Sequence, residues 1–272
     1  ANLDADRINL SLSNFSVNGD TINANITHLE AHERSGFELL SFSGEAKVCS
    51  RFVKVRNLKA ETPRSDLDMD FFMLYDHYSA FLDFINKVTI RSTIRPSLLN
   101  LADIGYFAPE MKVMDEVVKM QGNAEGTVSR FNVRNLKFAT GEGTMFSGDV
   151  MAAGLPDIYQ TYVDLNIHEF VSNRKDLQAF KIPSDPDTIP VPAALENLGT
   201  FTLTGRFTGF WDDFNADFTA QTALGAVAAN LVMKKQESQN TFSYNGLLTT
   251  TSVDAGKLLG SKLLGKVTLR GA

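Results

Sequence analysis

The feature that most constrains this chain is a two-residue alternation of apolar and polar side chains that recurs along most of its length. Leu67, Met69 and Phe71 alternate with three aspartates, and Phe214 and Phe218 stand in a similar alternating segment. Because successive side chains of a β-strand point to opposite faces, each segment predicts a strand with one apolar and one polar face. About 15 such segments can be counted. They predict a mainly β protein built on an antiparallel sheet that covers a core on one side.

Helical patterns are few and short. Tyr75–Ile85 carries Tyr78, Phe81, Leu82 and Ile85 at helical spacing. A second helix is predicted over Ser97–Phe107, with Ser97 as its N-cap. Weaker helical patterns cover Lys175–Phe180, Ala193–Leu198 and Ala255–Leu263.

A repeated pentapeptide indicates internal repetition. Val55–Lys59 reads Val-Arg-Asn-Leu-Lys and recurs unchanged at Val133–Lys137, each copy followed three residues later by a threonine. The repeat favours a stacked array over a recurrent local turn, and both interpretations remain open.

The segment Lys181–Pro192 holds four prolines and is predicted to be a loop inserted in one architecture. We therefore expect residues 1–272 to form a single repetitive β-groove fragment, and the first residue, Ala rather than Met, suggests a piece of a longer protein.

Composition excludes several classes of function. The chain has 26 basic and 32 acidic residues and a net charge of −6, which disfavours a nucleic-acid partner. No uncharged run is longer than that of residues 218–233, which is too short and too polar to span a bilayer. A single cysteine, Cys49, rules out an internal disulfide framework and a cysteine-based zinc cluster, and its neighbours supply no group that would activate the thiol.

Motifs that carry catalysis are missing from the sequence. There is no nucleophile elbow, no phosphate-binding glycine loop and no dinucleotide fingerprint. The sequence therefore predicts no enzymatic activity and no cofactor.

Three groups of polar residues have a chemical and a structural interpretation. His28, Glu30 and His32 share a strand face and could ligate zinc, but a solvated strand face accounts for them more simply. Asp66, Asp68 and Asp70 could hold calcium, but pairing with a basic residue on a neighbouring strand is far commoner. Trp211, Asp212 and Asp213 could mark a sugar site, but a turn between two strands explains them. We accordingly predict no metal site.

The order of several short motifs resembles a known family. These motifs are Gly36–Leu39, Val55–Leu58 with Thr62 and Ser65, Asp103–Glu110, Gly154–Pro156, Leu198–Gly199, the Phe and Gly residues at 201, 205, 207, 209 and 214, and Asp254–Leu259. Together they resemble the middle region of TamB-like translocation and assembly proteins, in the AsmA-like superfamily of Gram-negative bacteria. The similarity covers nearly the whole chain from Arg7 onward.

The resemblance implies a fold and a setting. Members of this family have an inner-membrane helix at the N-terminus and run through the periplasm as long, folded-over sheets, called a β-taco, with an apolar groove inside. They take part in phospholipid transport to the outer membrane and in assembling outer-membrane proteins with a partner barrel protein. On this basis we expect an elongated, curled antiparallel sheet with an open groove and a few short helices, located in the periplasm and belonging to a parent chain anchored in the inner membrane.

Three functions remain in competition. The first is a section of an envelope-spanning lipid-transport conduit whose groove takes phospholipid acyl chains. The second is an assembly factor that adds a client strand to its sheet edge. The third, less favoured because the chain has one Trp, is a glycan-binding β-solenoid. The residues predicted to line a lipid groove are Leu67, Met69, Phe71, Phe201, Leu203, Phe207, Phe214 and Phe218.

Overall fold

The chain folds as a mainly β protein. A computed structural model describes residues 5–34, 36–106, 111, 113–182, 185–188, 197–236, 241–259, 263 and 265–271. Strands hold 69% of the residues and helices 13%. Fifteen strands form one antiparallel sheet whose order follows the chain. The predicted fold class is confirmed, and the chain divides into two compact units, residues 1–135 and 136–272.

In the first unit, each of the first six strands pairs antiparallel with the next. The strands are β1 (Ala5–Asn18), β2 (Thr21–Glu33), β3 (Glu38–Val48), β4 (Phe52–Glu61), β5 (Asp66–Leu74), β6 (Thr89–Asn100) and β7 (Val117–Thr127). Strand β8 (Arg130–Thr140) follows and continues into the second unit. The helical elements are a 3-10 turn (Tyr78–Asp83), α1 (Phe84–Lys87) and α2 (Leu101–Ile104).

The second unit continues the same pattern with longer connections. Its sheet strands are β9 (Thr144–Ala153), β10 (Tyr162–Ser172), β13 (Phe201–Gly209), β14 (Asp213–Thr222), β15 (Gly225–Gln236), β16 (Thr241–Asp254) and β17 (Lys266–Gly271). A separate short pair, β11 (Lys181–Ile182) and β12 (Asp185–Thr188), lies within the predicted proline-rich loop. The helical elements are a 3-10 turn (Ile158–Gln160), α3 (Arg174–Ala179) and α4 (Ala255–Leu259).

The predicted start of the Ser97–Phe107 helix is wrong. Strand β6 continues to Asn100, and the side chain of Asn100 caps α2 by accepting a hydrogen bond from the Ala102 amide. Ser97 lies inside the strand, where its Oγ accepts from the Asp68 amide at 2.9 Å. The β5–β6 register shifts between Asp66 and Met69, and the hydroxyl supplies a partner for the Asp68 amide there. The predicted helices at Tyr75–Ile85, Lys175–Phe180 and Ala255–Leu263 are confirmed in part by shorter elements, and residues 193–196 lie outside the described chain.

The repeated pentapeptide places a left-handed asparagine within a strand in both copies. Asn57 and Asn135, its central residues, have φ angles of 49° and 52°. Asparagine tolerates this left-handed conformation better than most residues, which explains its place in both copies. The β4–β5 register shifts between Val55 and Leu58, as expected for a β-bulge.

Each copy of the pentapeptide belongs to a larger module of three strands and a short helix. Strands β4, β5 and β6 lead to α2, whose Asp103 accepts hydrogen bonds from the hydroxyls of Thr62 and Ser65, each at 2.6 Å. Strands β8, β9 and β10 lead to α3, whose Asp176 accepts from the Gly143 amide at 2.9 Å. Both aspartates come three residues after the asparagine that caps the helix, and both bind the hairpin turn that follows the repeated strand. The sequence repeat therefore marks a structural repeat.

No helix within the part of the chain that the structure describes combines the length and apolar character needed to cross a membrane.

Candidate functional site: the apolar face of the sheet

In the first unit, apolar side chains form rows that run across the strands on one face. Directly opposed residues of antiparallel strands point to the same side, so the register of each pair defines these rows. The rows are Val17–Ile22–Val48–Val53–Met73–Ile90, Ala24–Ala46–Val55–Phe71–Ser92–Ala124, Leu12–Ile26–Gly44, Leu58–Met69–Ile94–Gly122 and Leu10–Leu29–Phe42–Ala60–Leu67. Three of the predicted groove residues, Leu67, Met69 and Phe71, lie in these rows.

The second unit has an apolar face built in the same way. Its rows are Val163–Gly209–Phe214–Met233–Tyr244, Val150–Leu165–Phe207–Ala216–Leu231–Gly246, Gly148–Ile167–Gly205–Phe218–Ala229–Leu248 and Phe146–Phe170–Leu203–Ala220–Val227–Thr250–Leu269. Phe201 precedes Leu203 by two residues on β13 and shares its face. The five groove residues predicted in this half of the chain therefore lie on one face of this unit.

Large aromatic residues on this second face stand opposite glycines. Gly205 faces Phe218 and Gly209 faces Phe214 across β13 and β14. A Cβ at Gly205 would lie 2.1 Å from the Asp217 carbonyl oxygen, and one at Gly209 would lie 2.3 Å from the Asp213 carbonyl oxygen. Their φ angles of +149° and +139° also exclude other residues. Glycine thus lets the two backbones approach closely while the neighbouring ring covers the gap.

The apolar faces are only partly covered by protein. All eight predicted groove residues are half-buried, and none is fully buried. On the edge strand β1 the apolar side chains are more open, with Ile8 63% and Val17 60% exposed. A closed hydrophobic interior would bury most of such side chains almost completely. Each face therefore offers accessible apolar surface.

Some members of the face are not found by alternation alone. Val53, Val55 and Leu58 belong to the rows of the first unit, but the bulge at Asn57 places Val55 and Leu58 three positions apart. The signal that could have located them is the repeated Asn between the two apolar residues. Alternation does not identify Leu231 and Met233 of β15, because the alanines that precede them in the strand weaken the apolar pattern.

One part of the first apolar face is covered by the helical segment between β5 and β6. Tyr75, Ala80 and Val88 form a buried cluster there. Val53 and Met73 of the sheet and Phe84 of α1 pack against it. The face is thus protein-covered at this end of the strands.

The opposite face of the first unit is polar and its carboxylates are paired. Arg95 Nε lies 2.6 Å from Asp68 Oδ1, and Arg95 Nη1 lies 3.3 Å from Asp70 Oδ2. Hydrogen bonding to Asp68 is the largest of the effects that raise the pKa of Arg95. The interpretation of these aspartates as cross-strand ion-pair partners is confirmed for Asp68 and Asp70.

The remaining polar groups take structural positions. His28 Nε2 lies 2.8 Å from Glu30 Oε1, and within the described ranges no group of three or more His, Cys, Asp or Glu side chains could hold a metal ion. Asp212 and Asp213 lie at the turn between β13 and β14, where the Phe210 amide donates to the Asp213 carbonyl, as predicted. Cys49 is buried.

Comparison with known proteins gives no relative for this chain: no family model, curated protein or solved structure matches it.

Proposed function

We propose that the apolar faces of the two units bind phospholipid acyl chains, and that the chain is a periplasmic section of an envelope-spanning lipid-transport conduit. The observation that carries this proposal is the continuity of the apolar rows, combined with the partial exposure of the eight predicted groove residues on the same faces. Phospholipids are the partners, and no catalytic residue or cofactor is needed.

The energetics of lipid transfer favour such a surface. Moving a lipid through water exposes its tails, and at about 0.8 kcal/mol per CH₂ two 16-carbon chains cost roughly 25 kcal/mol. An apolar surface along the route lowers this barrier by contact alone. Half-exposed Phe, Leu and Met side chains supply that contact without first having to leave a packed interior.

A charge placed on the apolar face tests the proposal. Leu203 and Thr204 are neighbours on β13 that point to opposite faces. Leu203→Asp should leave the far-UV spectrum unchanged, because the half-exposed site gives the carboxylate access to water, and should abolish recovery of co-purified lipid measured by mass spectrometry of the organic extract. Thr204→Asp, on the polar face, should retain lipid. Equal lipid recovery from both folded variants, or no lipid in the unchanged protein, would count against an acyl-chain surface.

Strand addition at β1 is a second candidate function, and one observation favours it. From Ile8 to Asn18 this 14-residue edge strand has no charged residue and no proline. Exposed edges normally carry such residues to prevent pairing with other chains. An edge strand without charge or proline suits the assembly-factor function, in which a strand of a client or of an outer-membrane barrel protein adds to β1, although three register shifts interrupt the pairing of β1 with β2.

A lysine on the edge separates this second function from the first. Ser11→Lys and Ser13→Lys should block capture of a client strand, measured as loss of hydrogen-exchange protection in β1, and should leave lipid recovery unchanged. If the variants capture the client as well as the unchanged protein does, β1 is not the site of addition.

A further inference from the structure

The most exposed large apolar residues of the first unit include four in the helical segment between β5 and β6, here called the stripe. Leu82 is 92% exposed and Tyr78 is 63% exposed, with Phe81 and Ile85 at 39% and 38%. These are the four residues at helical spacing that predict the segment to be helical. The buried residue of the 3-10 turn is instead Ala80. The segment therefore has a buried apolar side and an exposed apolar side, and the ring of Phe81 on the exposed side still contacts the ring of Tyr75.

The outer stripe is continuous with the apolar face of the sheet. The ring of Phe81 lies 4.7 Å from the ring of Tyr75 and 6.1 Å from that of Phe84. Tyr75 belongs to the buried cluster against which Phe84 and Met73 of β5 pack, and Met73 belongs to an apolar row. An unbroken apolar path thus leads from the exposed stripe through the aromatic cluster to the sheet.

Charged residues precede and follow the first turn of the stripe, but none lies within that turn. Residues 78–82 read Tyr-Ser-Ala-Phe-Leu, preceded by Asp76 and His77. Asp83 is held by Asn86 at 2.7 Å and by Lys87 at 3.6 Å. An uncharged tip of Tyr, Phe and Leu on an ionic base is suited to the boundary between headgroups and acyl chains, where aromatic and aliphatic side chains enter and charged groups stay in water.

We propose that Tyr78, Phe81, Leu82 and Ile85 form a membrane-docking tip that enters the interfacial layer of a phospholipid bilayer. A bilayer is favoured over a protein groove because the stripe leads directly to a surface for acyl chains, an argument that rests on the proposed function. The tip would bring the apolar face of the first unit to the membrane at the place where a lipid enters or leaves. The charged residues of the segment, Asp76, Asp83 and Lys87, carry no net positive charge, so docking depends on apolar contact and needs no anionic lipid.

Vesicle sedimentation tests the tip. The full chain is mixed with phosphatidylcholine vesicles, and the bound fraction is compared with that of a Tyr78→Ser/Leu82→Ser variant. Both side chains are exposed, so the fold should be unchanged, and the apparent affinity should fall about tenfold. Leu263→Ser, which removes a 96% exposed leucine elsewhere, should bind as the unchanged protein does. The proposal is overturned if the unchanged protein stays in the supernatant, or if the double variant sediments as well as the Leu263 variant.

A second measurement separates the tip from the acyl-chain surface. Binding of a fluorescent fatty acid without vesicles should be the same in the tip variant and the unchanged protein, because the tip lies outside the apolar rows. Loss of vesicle binding with normal fatty-acid binding supports the tip. Vesicle binding by a protein that takes up no fatty acid would overturn the proposed function and leave the docking result standing.

Discussion

The backbone amide of Asn57 donates a hydrogen bond to Oδ1 of Asp70 at 2.8 Å. Asn57 is the left-handed residue of the β4 bulge, where the regular ladder to β5 is interrupted. A carboxylate on the neighbouring strand therefore takes the place of the missing backbone acceptor. This hydrogen bond is the largest of the effects that hold the pKa of Asp70 below its ordinary value of 3.8.

Removing that acceptor should weaken the first unit in a pH-dependent way. Asp70→Ala should lower the free energy of unfolding by about 1 kcal/mol at pH 7, measured by urea titration. Because the folded pKa is depressed, the stabilisation is present above the ordinary pKa and is lost as the pH falls through the lower folded value. The difference between variant and unchanged protein should therefore shrink below pH 3.8. Asp66→Ala, on the same strand, is the control and should change stability by less than about 0.5 kcal/mol. A pH-independent difference for Asp70→Ala would contradict a stabilising role for the Asp70 carboxylate.

Asp176 should contribute far more to the free energy of unfolding than the neighbouring ion pair does. Its carboxylate accepts from the amides of Glu142 and Gly143 and from the Thr144 hydroxyl. Burial alone would raise the pKa of Asp176, but the hydrogen bonds outweigh that effect and hold the pKa below its ordinary value. Asp176→Ala should cost about 2–3 kcal/mol in thermal or urea unfolding, because it leaves these donors of the turn unpaired.

The control for this prediction is Lys175. Its ammonium pairs with Glu142, but both side chains are more than two-thirds exposed. Lys175→Ala should change stability by less than about 0.5 kcal/mol, as exposed ion pairs contribute little. Similar losses for the two variants would show that Asp176 does not hold the turn.

Gly205 and Gly143 should differ sharply in how far their replacement with alanine lowers stability. Gly205→Ala places a Cβ 2.1 Å from a backbone oxygen at a φ of +149°, so we expect a loss of at least about 3 kcal/mol or failure to fold. At Gly143 the nearest atom to an added Cβ is Asn173 Nδ2 at 3.6 Å, an ordinary contact. Gly143→Ala should therefore be nearly neutral in thermal unfolding, and a well-folded Gly205→Ala protein would show that β13 and β14 are not so close.

Phe71 and Phe72 provide a matched test of the acyl-chain surface in the first unit. Phe71 lies in an apolar row, whereas Phe72 faces Lys54 and Arg91 on the polar side. Both are half-buried, so replacing either with Ser removes a similar amount of protein contact. Phe71→Ser should reduce binding of a fluorescent fatty acid several-fold, and Phe72→Ser should not. Equal effects in a fluorescence titration would remove the distinction between the two faces.

The sequence predicts the strands well where alternation is unbroken, and less well where a local device interrupts it. In β5, β13 and β14 the apolar phase alone places Met69, Leu203 and Phe218 on the correct face. At Asn57 the bulge breaks the phase, and only the register of the folded strands shows that Val55 and Leu58 share a side. Long-range pairing decides that geometry, which a local pattern does not record.

Helical spacing has a different limitation. It identifies the segment around Tyr78 as helical, but it does not say which side packs on the sheet. Small Ala80, rather than the larger stripe, fits against Val88 and Tyr75. Ser97 illustrates the same point, because a residue suited to a helix cap serves equally well as an acceptor within a strand.

Because the strand order of the sheet follows the chain, both the folding of the sheet and its evolution by duplication become simpler. Apart from β10 and β13, which are separated by α3, β11 and β12, neighbouring strands are consecutive strands of the chain, so closing most pairs costs little chain entropy and can proceed stepwise from different starting hairpins. A module that ends in α2 or α3 can be duplicated or deleted without changing which strands pair elsewhere in the sheet. Evolution can therefore adjust the reach of this architecture by copying segments, while the register inside each copy stays as it was.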